Sequence, residues 1–214
     1  MPQQDSPDRT GPNKSDLREA ALAHLAKFAA SEVGLIRVLD RRVARWARQA
    51  ADGGLDPDAI RHGQAQARQL VRVVVADMVR LGAVDDTVFA ESRARALSRG
   101  GRSRRAIGAH LANRGIDAER IAEAVSRAQA EVLDDAAQAE LASALLQARK
   151  RRIGPFAVVS DDADEPGQIE AGQAARQRAL AALARAGFSH DVASSALDTD
   201  LDTAQALIAR LRAG

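Results

Sequence analysis

Apolar residues recur at intervals of three and four along most of the chain, with polar residues between them. That spacing puts the apolar side chains on one side of an α-helix. Leu17, Ala21, Leu25 and Phe28 form the first such face, in a helix starting at Asp16. Ser31 caps a second helix, whose buried side carries Leu35, Leu39, Val43 and Trp46. The stretch GGLDPD at 53–58 stops that helix and starts a third. Its glycines supply a left-handed stop, Asp56 caps, and Pro57 enters the first turn, where its missing N–H does no harm. Ile60, Ala67, Val71, Val74 and Met78 carry the third helix to Arg80.

The alternation of helical faces and breakers continues. A fourth helix starts at Asp85 or Asp86, runs to Ser98 and meets Gly100-Gly101. Asp85 and Asp86 are read as a cap and a first-turn acid rather than a metal pair. Ser103 caps a fifth helix on Ile107 and Leu111, ended by Gly115. Asp117 caps a sixth on Ile121, Val125 and Val132. A seventh covers 135–151 on Leu141, Leu145 and Leu146. An acidic segment with prolines and glycines, at about 153–168, reads as a loop or short hairpin. An eighth helix is expected at 169–186, a ninth after Ser189 and a tenth at 202–212. Residues 1–15 are polar and rich in proline, too poor in apolar area to offset ordering entropy, and are expected to be disordered.

Three junctions are alike: GLDPDAI at 54–60, GIDAERI at 115–121 and GFSHDVA at 187–193. Each has a glycine, an apolar residue, a capping Asp or Ser, an acid in the first turn and a new helix. Each also follows a second helix. The separations, 61 and 72 residues, predict a three-helix unit repeated three times, at 16–82, 83–133 and 134–214. Such units bury faces against neighbours and build an elongated, curved all-α array.

Composition agrees. Of 214 residues, 46% are hydrophobic but only 2% aromatic, so Leu, Val, Ile and Ala must fill the core. The absence of cysteine excludes disulfides and thiolate metal sites and fits a cytoplasmic protein. The N-terminus has no apolar signal core, and the run VRVVVADMV is too short and charged for a membrane span. Outside 156–160 no alternating strand of five residues or more stands out.

The formal net charge is only +2, so any binding of polyanions must rest on local charge. Arg93, Arg95, Arg99, Arg102, Arg104 and Arg105 surround the Gly100-Gly101 turn with no acid among them. Arg149, Lys150, Arg151 and Arg152 end the seventh helix. Completing a helix dipole needs one or two cations, so six around a turn point to an anionic partner. The backbone N–H groups after Ser103 would add anion affinity. A third set lies along the second helix, where Arg37, Arg41, Arg45 and Arg48 share a face and Arg42 sits beside it. Stacked repeats would align the three sets as one discontinuous stripe. The anion is either a phosphate backbone, read without sequence, or an acidic protein surface. The scarcity of aromatics argues against a platform that stacks bases.

Nothing in the chain reads as catalytic. His24, His62, His110 and His190 are scattered singly, and RGGR lacks the spacing of a phosphate loop. No catalytic residue, metal site or cofactor is expected.

The stretch LGAVDDTVFAESRARALSRGGRSRRAIGAHLANRGID, at 81–117, resembles the most characteristic block of the RecX regulators of the RecA recombinase. The residues that carry the resemblance are Gly82, Asp85, Asp86, Phe89, Ala90, Arg93, Arg95, Gly101, Arg104, Arg105, Ile107, Leu111, Gly115 and Ile116. RKRRIGPF at 149–156 and LARAGFSHDVA at 183–193 resemble the family's third repeat. The chain departs from that pattern in lacking tyrosine and in carrying acids at Asp161, Asp162, Asp164, Glu165 and Glu170. The resemblance implies tandem three-helix repeats. It also implies a monomeric, non-enzymatic protein that binds the groove of the RecA–DNA filament and suppresses ATP hydrolysis and strand exchange. The alternatives on the residues alone are a non-specific nucleic-acid-binding architectural protein and a protein-interaction scaffold.

Overall fold

The structure is a computed structural model and describes residues 11–131, 135–157 and 168–213. The described residues are all-α. Their helices are α1 (Lys14–Leu25), α2 (Glu32–Asp52), α3 (Pro57–Arg80), α4 (Asp86–Arg99) and α5 (Arg104–Ala112). They continue with α6 (Ala118–Ala130), α7 (Ala136–Arg151), α8 (Gln168–Arg185), α9 (His190–Asp198) and α10 (Leu201–Ala213). Gly154–Phe156 forms a short 3-10 turn after α7. Val132, residues 1–10 of the expected tail, and 158–167 with most of the acidic cluster lie outside the described residues, whereas Asn13 to Ser15 of that tail are ordered as the cap and first turn of α1, through the capping box of Asn13 with Asp16.

The breaks between helices follow one mechanism. Gly54, Gly115 and Gly187 have φ of 76°, 84° and 94°, the left-handed region that an L side chain enters only at a cost. The N–H of the next residue then reaches five residues back: Leu55 to the Ala50 carbonyl, Ile116 to Leu111 and Phe188 to Leu183. This is the Schellman closure, which satisfies carbonyls that the helix end leaves unpaired. Asp56, Asp117 and Ser189 then cap α3, α6 and α9 through side-chain oxygens that accept from backbone N–H groups. The same device therefore joins the second and third helices of α1–α3, of α4–α6 and of α7–α9; α10 follows.

A second recurrence lies at the start of the second helix in the first two groups. Ser31 caps α2 and Ser103 caps α5. In both cases an acid from a later helix accepts from the first N–H: Asp86 of α4 from Glu32 at 2.8 Å, and Glu140 of α7 from Arg104 at 3.1 Å. Asp85 caps α4 itself, accepting from Thr87 and Val88. Both acids of the Asp85-Asp86 pair thus serve helix ends.

The chain divides into two compact units, residues 1–89 and 90–214, with the break inside α4. The core of the first joins Leu17 and Ala21 of α1, Leu35, Leu39 and Val43 of α2, and Val71, Val74, Val75 and Met78 of α3. The second has a core in which Leu145 and Leu146 of α7 meet Leu183, Phe188, Ala193 and Ala196, with Ile208 and Leu211 of α10. Phe89, Ile107 and Leu111 are buried as the periodicity requires, but Phe28 is 61% exposed. The first helix stops at Leu25, and Phe28 lies beyond it, where its ring meets the His24 ring at a centroid distance of 5.4 Å.

Candidate anion-binding site

The arginine-rich turn lies in the second unit, and its shape follows from close packing. Arg102 N–H bonds to the Leu97 carbonyl at 3.0 Å, closing α4 with Gly101 at φ 74°. A Cβ on Gly101 would come within 2.9 Å of Leu146 Cδ2, so the turn is pressed against α7. Gln147 Nε2 donates to the Gly101 carbonyl at 2.8 Å, and Lys150 Nζ donates to the Gly100 carbonyl at 2.9 Å. From the other side, the buried Ser103 hydroxyl donates to the Ala186 carbonyl at 2.8 Å. The α4–α5 turn is therefore held by the end of α7 and by the α8–α9 turn.

These contacts leave a half-open cleft of about 440 Å³. Its walls are the Gly100-Gly101 turn with Arg102 and Ala106, then Gln147, Lys150 and Arg151 of α7, and Arg185-Ala186 at the end of α8. Four cations meet there, and no acidic side chain lines it among the described residues. The side chains of Arg102, Arg151 and Arg185 make no hydrogen bond or ion pair with a described residue, and all three are exposed. Lys150 already serves the Gly100 carbonyl.

The geometry sorts the ten cations singled out by the sequence. Arg102, Lys150 and Arg151 line the cleft. Arg99, Arg104, Arg105, Arg149 and Arg152 do not line it. Arg149 is half-buried, and the other four are exposed. Arg93 and Arg95 turn toward their own bundle: Arg93 Nε donates to His110 Nε2 at 3.2 Å, and Arg95 pairs with Glu131 at 3.3 Å. Across the same helices, Arg127 pairs with Glu91. The anion affinity expected of the α5 N-terminus meets a correction. Glu140 takes the Arg104 N–H and the Ser103 hydroxyl takes that of Ala106, so these donors are already satisfied. Arg185 was not among the expected cations, since only the fold brings it beside residues some eighty positions earlier.

Two titratable groups next to this turn are perturbed. Burial, then the charges of Arg93, Arg114 and Arg102, hold His110 below its ordinary 6.5. That keeps Nε2 neutral and able to accept from Arg93. Burial pushes Glu140 above its ordinary 4.5, opposed by the Arg104 N–H and charge. Gln129 Nε2 also donates to Glu140, at 3.2 Å. Among the described residues no cluster of His, Asp or Glu is placed to hold a metal ion, and no helix is long and apolar enough to cross a membrane.

Residues 85–125 match the family model described as the second three-helix domain of RecX. Over 184 residues the chain is 38% identical to the regulatory protein RecX of Myxococcus xanthus, covering 86% of this chain and 85% of that one. The chain belongs to the RecX family. The regulatory protein RecX of Agrobacterium fabrum is 25% identical over 68% of each chain. No solved structure matches. The RecX domain match spans α4, α5 and α6 as far as Val125, and so contains the whole arginine-rich turn.

Proposed function

We propose that this chain regulates the RecA recombinase by binding the groove of the RecA–DNA filament. There it suppresses ATP hydrolysis and strand exchange during recombination, DNA repair and the SOS response. It acts as a non-enzymatic cytoplasmic monomer without a cofactor. The observation that carries this reading is the α4–α5 turn, which lies within the RecX domain match and presents Arg99, Arg102, Arg104 and Arg105 to solvent. Arg149, Lys150, Arg151 and Arg152 extend the same charge beside it, and Arg93 and Arg95 support it from within the bundle. Excess cations without counter-acids suit a partner that brings its own negative charge, as a nucleoprotein filament does.

The test is co-sedimentation with RecA filaments assembled on single-stranded DNA. Arg104→Glu combined with Arg105→Glu is expected to weaken binding while helicity stays unchanged. Undiminished binding by that double variant would contradict the role given to this turn.

A further inference from the structure

We propose that the cleft between the Gly100-Gly101 turn, the end of α7 and the end of α8 seats a phosphate of a nucleic-acid strand, with Arg185 as a further anchor beside Arg102 and Arg151. This rests on the regulatory reading above and gives its basic face a ligand class and a place. The cleft brings three guanidinium groups without a described partner to one wall-lined space of about 440 Å³. Guanidinium forks match the paired oxygens of phosphate, and three of them exceed what a single side-chain carboxylate would neutralise. The local charge does not end with the lining residues: along the chain, Arg99 and Arg105 lie within three residues of Arg102, and Arg149 and Arg152 adjoin Lys150 and Arg151. A strand carries a phosphate at every nucleotide, so its neighbouring charges meet these flanking cations.

The walls also speak against a protein partner. Apart from Ala106 and Ala186, the lining is glycine, glutamine and cations. The lining offers no apolar pocket for an aromatic or aliphatic anchor of a protein partner. No aromatic ring lines the cleft for a base to stack on, so the contact reads backbone and not sequence. Lys150 plays a different part. Its bond to the Gly100 carbonyl fixes the turn and leaves the guanidinium groups to take the ligand.

The test uses the full chain and a labelled oligothymidylate, titrated across a range of salt. Arg185→Ala is expected to weaken binding by about tenfold, the loss of one charged hydrogen bond. The slope of log affinity against log salt should become shallower by about 0.7, the loss of one phosphate contact on a single strand. Arg102→Ala should behave alike. Arg210→Ala, an exposed cation on α10 outside the cleft, should leave both quantities unchanged. A thermal melt of each variant separates loss of a contact from loss of fold. Unchanged affinity and slope in Arg185→Ala would overturn the proposal. So would polyglutamate binding as tightly as oligothymidylate with the same dependence on Arg185, which would mark the cleft as a seat for acidic protein. RecA ATPase activity, followed with the same preparations, separates the two readings. Oligothymidylate binding through Arg185 without ATPase inhibition supports the cleft and sinks the recombinase reading. Inhibition with no role for Arg185 in DNA binding does the reverse.

Discussion

Gly187→Ala provides a stringent test of the packing that builds the cleft. Gly187 sits at φ 94°, so any side chain there costs about 1–2 kcal/mol in backbone strain alone. The added Cβ would also lie 2.5 Å from Ser103 Oγ, while the next nearest atoms are 3.6 Å away. The collision is thus with one hydroxyl. That hydroxyl donates to the Ala186 carbonyl and accepts from Ala106 N–H, at 2.8 and 3.2 Å. Displacing it forfeits a hydrogen bond and a helix cap, each worth about 1 kcal/mol. Gly187→Ala should therefore cost about 3–4 kcal/mol, and Ser103→Ala about 2 kcal/mol for the same two bonds. In the double variant the collision has nothing left to strike, so its cost should stay near 3–4 kcal/mol rather than the sum. The cycle should give a coupling of about 2 kcal/mol. The assay is urea denaturation followed by far-UV circular dichroism. Gly54→Ala serves as reference: φ is 76° but nothing lies within 4 Å of its Cβ, so only the strain of about 1–2 kcal/mol should appear. Additive costs in the cycle, within about 0.5 kcal/mol, would refute the packing argument.

Further predictions concern the interior and the two perturbed groups. Leu111 is fully buried, so Leu111→Ala should cost about 2–5 kcal/mol in a denaturant melt. An NMR titration of His110 should give a midpoint below 6.5. The unfolded chain then binds the proton more readily, so stability should fall as pH drops below 6.5 and level off below the folded midpoint. His110→Gln, which can still accept from Arg93, should flatten that slope. For Glu140 the sign is opposite. Its pKa is raised in the fold, so the folded chain holds the proton longer and stability should fall as pH rises from 4.5 through the folded value. Melts of Glu140→Gln over the same range should lack this contribution.

Helix order and breaks were legible because each break is encoded locally. A glycine in the left-handed region, an apolar residue and a capping side chain are contiguous in Gly115, Ile116 and Asp117. The end of α7 falls at Arg151, as expected, but the left-handed position after it goes to Arg152, at φ 54°, where no glycine stands. Phe28 misled because three-and-four spacing continues past the point where α1 ends. The basic turn itself could be read from composition, but not the satisfaction of the α5 N-terminus by Glu140, which comes from another helix. Arg185 was invisible for the same reason. The charges of two walls, Arg102 on the turn and Lys150 and Arg151 on α7, stood out in the sequence, but only tertiary packing brings them together with Arg185 as a cleft.

The most direct test of the central claim is RecA ATP hydrolysis on single-stranded DNA, titrated with this chain from far below one molecule per RecA protomer. The account predicts inhibition at those low ratios, because a protein lodged along an assembled filament acts on many protomers. Inhibition only when the chain is abundant enough to cover the DNA would contradict it, leaving mere competition for phosphates, and no effect at any ratio would remove the recombinase from the account.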